Sequence, residues 1–162
     1  MRRSLNFTTF EAVLAEAERL ARSPYERVGN WDLAQMCDHL ADAVYGSMHG
    51  FDFAAPWILR KTISPLALWY VLKKRRIPIR AKMPKRREPA SGKDPSACIA
   101  RLREQIDEFG SRSGPVAAHP FFGRLSHEQW TQIHLIHCAH HLGFLVPAIE
   151  SSVLQSAFAS SR

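Results

Sequence analysis

The chain of 162 residues is 46% hydrophobic and 23% charged, with a formal net charge of +7. That length and apolar content suffice for one globular domain, 1–162, that buries a core without disulfide or metal staples, and no apolar run approaches the ~20 residues of a membrane-spanning helix. Cys37, Cys98 and Cys138 are odd in number and widely spaced with no CxxC pair, which speaks against a disulfide framework and for a reducing cytoplasmic location.

The opening MRRSLNF carries a basic pair, but Glu11, Glu16, Glu18 and Arg19 follow where a signal peptide has its apolar stretch, so no secretion signal is expected. Thr8 and Glu11 form a candidate capping box. Behind them Phe10, Val13, Leu14, Ala17, Leu20 and Ala21 recur at three and four, predicting an amphipathic helix over 9–22 that Pro24 stops. After Gly29, with Asn30 as the expected cap, Leu33, Met36, Cys37, Leu40, Ala41, Val44 and Tyr45 predict a second helix over 31–48. The stretch 51–76 is compatible with two shorter helical pieces, 57–62 and 65–74, separated where Pro65 disfavours a helical residue before it.

Charge is concentrated next. Lys73, Lys74, Arg75, Arg76, Arg80, Lys82, Lys85, Arg86 and Arg87 occur with no acid among them, and Pro78, Pro84, Pro89 and Gly92 mark 77–93 as a long basic loop. A solvated loop is the first reading of this stripe and an anionic small ligand or acidic partner the second. Nucleic acid is the weakest, since residues 77–89 hold no aromatic to stack a base. Asp94 and Pro95 then supply a cap and a first-turn proline for a third helix, whose stripe is Ile99, Leu102, Ile106 and Phe109. Residues 110–124 form a Gly, Pro and Ser-rich connection, in which His119-Pro-Phe-Phe-Gly123 reads as an anchor between helices or as a cover whose Phe121 and Phe122 exclude water. Ser126 and Gln129 form another capping box, opening a last long helix that runs to about Leu145 with Pro147 bending or ending it. No segment alternates in the manner of a strand. The expected architecture is all-α: an antiparallel bundle of four main helices with additional short helices.

The last helix poses the chemical question. Four of the chain's eight histidines lie between His134 and His141, among apolar residues. At about 100° per residue, Trp130, His134, His137, His141 and Phe144 share a narrow arc that faces the interior, where an imidazole needs a partner. His137 and His141 have the i, i+4 spacing that lets two imidazoles converge on one ion. Core histidines satisfied by hydrogen bonds are the competing account. The H-E-x-x-H signature is absent, because His127-Glu128 is not followed by its second histidine. His39, at the margin of the second helix's apolar face, is the best third ligand, and His134 would serve as a fourth ligand or as support behind the first three. His140 is rotated off the arc, with a packing or supporting role. His49, His119 and His127 are expected in exposed structural roles, and the cysteines as small buried apolar residues.

Gly29-Asn-Trp-Asp-Leu-x-Gln-Met-Cys-Asp-His39-Leu-Ala, followed by His119-Pro-Phe-Phe-Gly-Arg-Leu-Ser-x-Glu-x-Trp130 and His134-x-x-His137-x-x-His140-His141-Leu, resembles an uncharacterised family within the DinB/YfiT-like superfamily, over nearly the whole chain. The resemblance implies a four-helix, commonly dimeric bundle with a three-histidine metal site, and by position His39, His137 and His141 as its ligands. Some relatives are metal-dependent transferases that activate a low-molecular-weight thiol. This chain departs from the common pattern after the histidine pair, reading Leu142-Gly143-Phe144 where an Arg-Gly-Gln-like run is frequent.

The expectation is therefore a cytoplasmic, homodimeric, metal-dependent enzyme with zinc as first choice and nickel or iron as alternatives. Its first-choice reaction is thiol transfer to a small-molecule substrate, the basic stretch 73–87 attracting an anionic thiol; no membrane partner is expected. A hydrolase using the same open metal position, and a non-enzymatic metal- or ligand-binding bundle, are the alternatives.

Overall fold

A computed structural model describes residues 2–78 and 88–148. The described chain is mostly helical, in the order α1 (Phe10–Arg22), β1 (Tyr25–Arg27), α2 (Leu33–His49), α3 (Trp57–Thr62), α4 (Ser64–Lys74), α5 (Pro95–Ser111), α6 (His127–Leu142) and β2 (Leu145–Pro147). The cations Arg80, Lys82, Lys85, Arg86 and Arg87 of the basic stretch lie outside the described residues.

The four long helices form where periodicity predicts them, with adjustments at their ends. Helix α1 is capped by Thr9 rather than Thr8, the Thr9 hydroxyl accepting from the Ala12 amide. Helix α2 starts two residues later than expected. Asp32, not Asn30, is its cap, and Asp32 and Gln35 exchange both bonds of a capping box. The expected caps of α5 and α6, Asp94 and Ser126, are both made.

Helix α2 is the centre of the packing. One face, through Leu33, Met36, Leu40 and Val44, enters a core shared with Val13 and Leu20 of α1, Leu102, Ile106 and Phe109 of α5, and Trp130, Leu135 and Leu142 of α6. Its contact with α5 is the most extensive in the fold and is pinned by charge. Buried Asp38 accepts from Lys93 at 2.6 Å and from Arg101, which also reaches Asp42 at 2.5 Å. Burial raises the Asp38 carboxyl, but the Lys93 and Arg101 hydrogen bonds outweigh it and hold the carboxyl below its usual range. With Asp38 committed to α5, the next residue, His39, is turned to a different side of α2.

The end of α6 departs from expectation. The helix stops at Leu142 instead of about Leu145, and Leu145–Pro147 pairs antiparallel with Tyr25–Arg27 in a small two-stranded sheet. The N-terminal segment closes the vacated helix end. The Arg3 amide donates to the Gly143 carbonyl at 2.9 Å, and its guanidinium donates to the Leu145 and Leu142 carbonyls and to Glu16. Gly143 is required at this crossing, because a Cβ there would stand 2.8 Å from the Arg3 carbonyl oxygen. The ladder thereby fixes the α1–α2 connection, which carries Trp31, against the C-terminal end of α6.

Candidate metal centre

His39 leaves α2 toward α6, while His137 and His141 rise one turn apart on α6 to meet it. The His39 and His137 Nε2 atoms are 3.3 Å apart, those of His137 and His141 are 3.0 Å apart, and the three ligand atoms all lie within 4.8 Å of one another. Zn–N bonds of about 2.0–2.1 Å at tetrahedral angles place neighbouring donors ~3.3 Å apart, so two of the edges already match a metal coordination sphere. The group is close enough to hold one ion.

Hydrogen bonding alone serves this cluster badly. Each Nε2 offers either one N–H or one in-plane lone pair, yet His137 Nε2 faces two other nitrogens. It can donate to one of them or accept well from one, which leaves the third nitrogen without a proper partner. A cation instead takes up three lone pairs at once. Burial drives all three imidazoles toward the neutral, ligating form: it pushes His39 down to about 4 against an opposing pull from Asp42, and holds His137 and His141 well below the usual histidine range.

Trp31 forms one wall. Its indole lies face to face with His141, 5.7 Å between centroids and 10° between planes, and meets the edge of His39 at 5.1 Å. His39, His137 and His141 are each half-buried as residues.

The other sequence-identified histidines are placed elsewhere. His134 is buried, stacks on Trp130 and meets the Ser47 hydroxyl at 3.0 Å through Nε2, so it does not join the cluster as a fourth ligand. His140 Nδ1 accepts from Arg2 at 3.1 Å, and Arg2 lies over the Phe144 ring. His49 is exposed, as expected, and pairs with Glu108. His119 and His127 are not exposed as expected but half-buried. His119 Nδ1 accepts from the Phe121 and Phe122 amides, and His127 stacks on Phe109 and bonds its carbonyl. The 119–123 turn is an anchor: Pro120 accepts from the Ala55 amide and Phe121 from the Ser64 hydroxyl. The three cysteines are buried, and burial pushes the Cys37 thiol up to about 12 and raises those of Cys98 and Cys138, which fits inert packing groups. An open hollow between α1 and α5, lined by Glu18, Arg22, Ser96 and Arg103, shares no residue with the cluster.

With this geometry in place, one comparison is informative. A family model described as a protein of unknown function, DUF1569, matches residues 1–148. The chain belongs to the DUF1569 family. Neither a curated protein nor a solved structure matches it. In this DUF1569 chain, the site feature that sequence reasoning missed is Trp31. It precedes the α2 cap, so no helical periodicity places it; its position inside the Gly29-to-His39 run was the available signal.

Proposed function

We propose that His39, His137 and His141 bind a divalent metal ion, zinc before nickel or iron, in a one-domain four-helix bundle of DinB/YfiT-like type. The observation that carries this reading is the convergence of three Nε2 atoms from two helices distant in sequence. The reading goes on to a metal-dependent enzyme, with transfer of a low-molecular-weight thiol to a small electrophile as the reaction. Three protein ligands leave a coordination position for substrate, whereas structural sites are usually closed by four. His134 is committed to Ser47, which favours the open arrangement over the purely structural one.

The metal, when bound, supplies a Lewis acid that favours the ionised form of a thiol or a water at neutral pH. The chain's own part is positioning. Depressed imidazole basicity keeps protons from competing for the three Nε2 lone pairs, and Trp31 holds two of the rings by face and edge contact. Arg2, close enough to lower the basicity of His141, adds positive charge beside the centre and suits an anionic thiol. Of the basic stretch first expected in that role, Lys73 lies over Trp69, and Arg75 bonds the Asn6 side chain and the Phe7 carbonyl. Lys74 and Arg76 are exposed, and the other cations lie outside the described residues. A cytoplasmic homodimer completes the reading.

Two measurements test it. Elemental analysis of protein purified without an affinity metal should find close to one divalent ion per chain, lost on chelation. Glutathione, bacillithiol or mycothiol offered with an electrophilic acceptor should be conjugated by native protein and not by His137→Ala. Stoichiometric metal without conjugation of any thiol would leave the site and remove the transferase.

A further inference from the structure

Most of the large apolar side chains that the described residues leave exposed fall in one short part of the chain, between Phe53 and Tyr70. Helix α3 buries none of its residues, and α4 buries only Ser64 and Val71. Ile63, the cap of α4, and Leu66, Trp69, Tyr70 and Lys73 on it recur at three and four and form one outward arc, with Leu66 69%, Ile63 61% and Trp69 54% exposed. On α3, Trp57 is 63% exposed. A monomer in water normally hides such a set.

The charge on this hairpin has one sign. From Phe53 to Pro78 there is no Asp or Glu, while Lys61, Lys73, Lys74 and Arg76 are exposed. Two of these lysines stand over the two exposed tryptophans: Lys61 Nζ lies 5.6 Å from the Trp57 ring and Lys73 Nζ 4.7 Å from the Trp69 ring. Each pair places an ammonium beside an amphipathic indole. That is the composition of a surface seated in a lipid headgroup layer, with indoles at the boundary, aliphatic groups below and cations at the phosphates.

The hairpin is also held in place. Arg75 ends α4 in a left-handed conformation, φ 46°, and its guanidinium is fixed by the Asn6 side chain at 2.6 Å and the Phe7 carbonyl. Ser64 donates to the Phe121 carbonyl at 2.6 Å at the other end. A face locked in this way does not fold back to cover itself.

We propose that the outward face of α3 and α4 docks the protein on an anionic lipid bilayer, as a surface contact rather than a span, in place of the sequence expectation of no membrane partner. No helix among the described residues is long and apolar enough to cross a membrane, which agrees with a surface contact. A second copy fits this face less well, since a symmetric interface would set its lysines against a like face that carries no acid. Nucleic acid would satisfy the lysines but offers no hydrocarbon to Ile63 and Leu66.

The test uses the full chain with large unilamellar vesicles, one set of pure phosphatidylcholine and one containing phosphatidylglycerol. Co-sedimentation and a blue shift of tryptophan emission are expected with the anionic vesicles only, unchanged when metal is chelated. Lys73→Gln and Lys74→Gln should each weaken binding roughly fivefold, from about 1 kcal/mol per cation near such a surface. Leu66→Ser with Trp69→Ser, both exposed and so compatible with folding, should weaken it at least tenfold with the thermal transition unchanged. Three results overturn the proposal: no partition into anionic vesicles at low salt; partition that the Leu66→Ser, Trp69→Ser variant retains in full, which would leave charge alone; or a native dimer that this variant converts to monomer, which would assign the face to a second copy.

Discussion

Helix α6 carries buried and half-buried histidines in two settings, and the contrast separates packing from chemistry. In its first half, His127 bonds the Phe109 carbonyl and His134 the Ser47 hydroxyl, each against an aromatic neighbour. In its second half, His137 and His141 turn their Nε2 atoms toward each other and toward His39. Lowered basicity from burial occurs in both halves, in His134 at about 3 and in His137 and His141, both held well below the usual histidine range. It does not identify a ligand. What differs is where the free nitrogen points: at a neutral donor or acceptor of the protein, or at a position shared with two other lone pairs.

The largest effects should divide along that line. His137→Ala removes the nitrogen that faces both others, and metal affinity, measured by competition with a chromogenic chelator, should fall by more than the ~100-fold that changes behind a ligand reach. The metal-free protein should lose little by comparison. His134→Ala should do the reverse. It empties a fully packed site and leaves the Ser47 hydroxyl without its partner, for about 3 kcal/mol of stability in chemical denaturation, with the metal stoichiometry of the native protein. If His134→Ala instead emptied the metal site at unchanged stability, the two halves would not be the separate settings described.

Acid sharpens the same comparison at a smaller amplitude. The folded-state basicity of His134 and of His119, at about 3 and about 4, lies below that of a histidine in the unfolded chain, so below pH ~6.5 the unfolded state binds more protons. Stability present above that pH is therefore lost as pH falls toward the folded values. At pH 5 the His134 contribution is about 2 kcal/mol. Denaturation midpoints of metal-free protein should drop between pH 7 and pH 5, and should drop less in His137→Ala, which removes an imidazole that burial also holds well below the usual range. A flat profile would contradict the closed, neutral environment of His134.

How much of this could be read in the chain beforehand follows from the reach of each signal. The helical stripes of α1, α2, α5 and α6 were legible because the same apolar residues that recur at three and four are those that are buried, Leu102, Ile106 and Phe109 on α5 among them. The proximity of His137 and His141 was legible because i, i+4 is a local geometry, and that of His39 because it sits at the margin of the α2 apolar face. The sheet was not legible. Three residues on each side are too few for alternation to register, and their pairing depends on the Arg3 closure of α6, a contact between residues about 140 positions apart. Nor was the half-burial of His119 and His127 decidable by residue type, whereas the choice between Asn30 and Asp32 was open to a closer reading. Asn and Asp cap equally well, and the signal that selects Asp32, Gln35 three residues on, stood in the sequence as a capping box.

Trp31 offers the finest cut between the two halves, because it touches His39 and His141 and neither His127 nor His134. An aromatic contact of this kind is worth about 1 kcal/mol beyond the area it covers. Part of that is already realised in the metal-free protein, where the indole holds the same rings. Trp31→Leu should therefore weaken metal binding by about fivefold or less, leave one ion per chain, and leave the acid profile set by His119 and His134 unchanged. A loss as large as that of His137→Ala would mean that the ring positions depend on the indole, and that the two helices alone do not bring three nitrogens together.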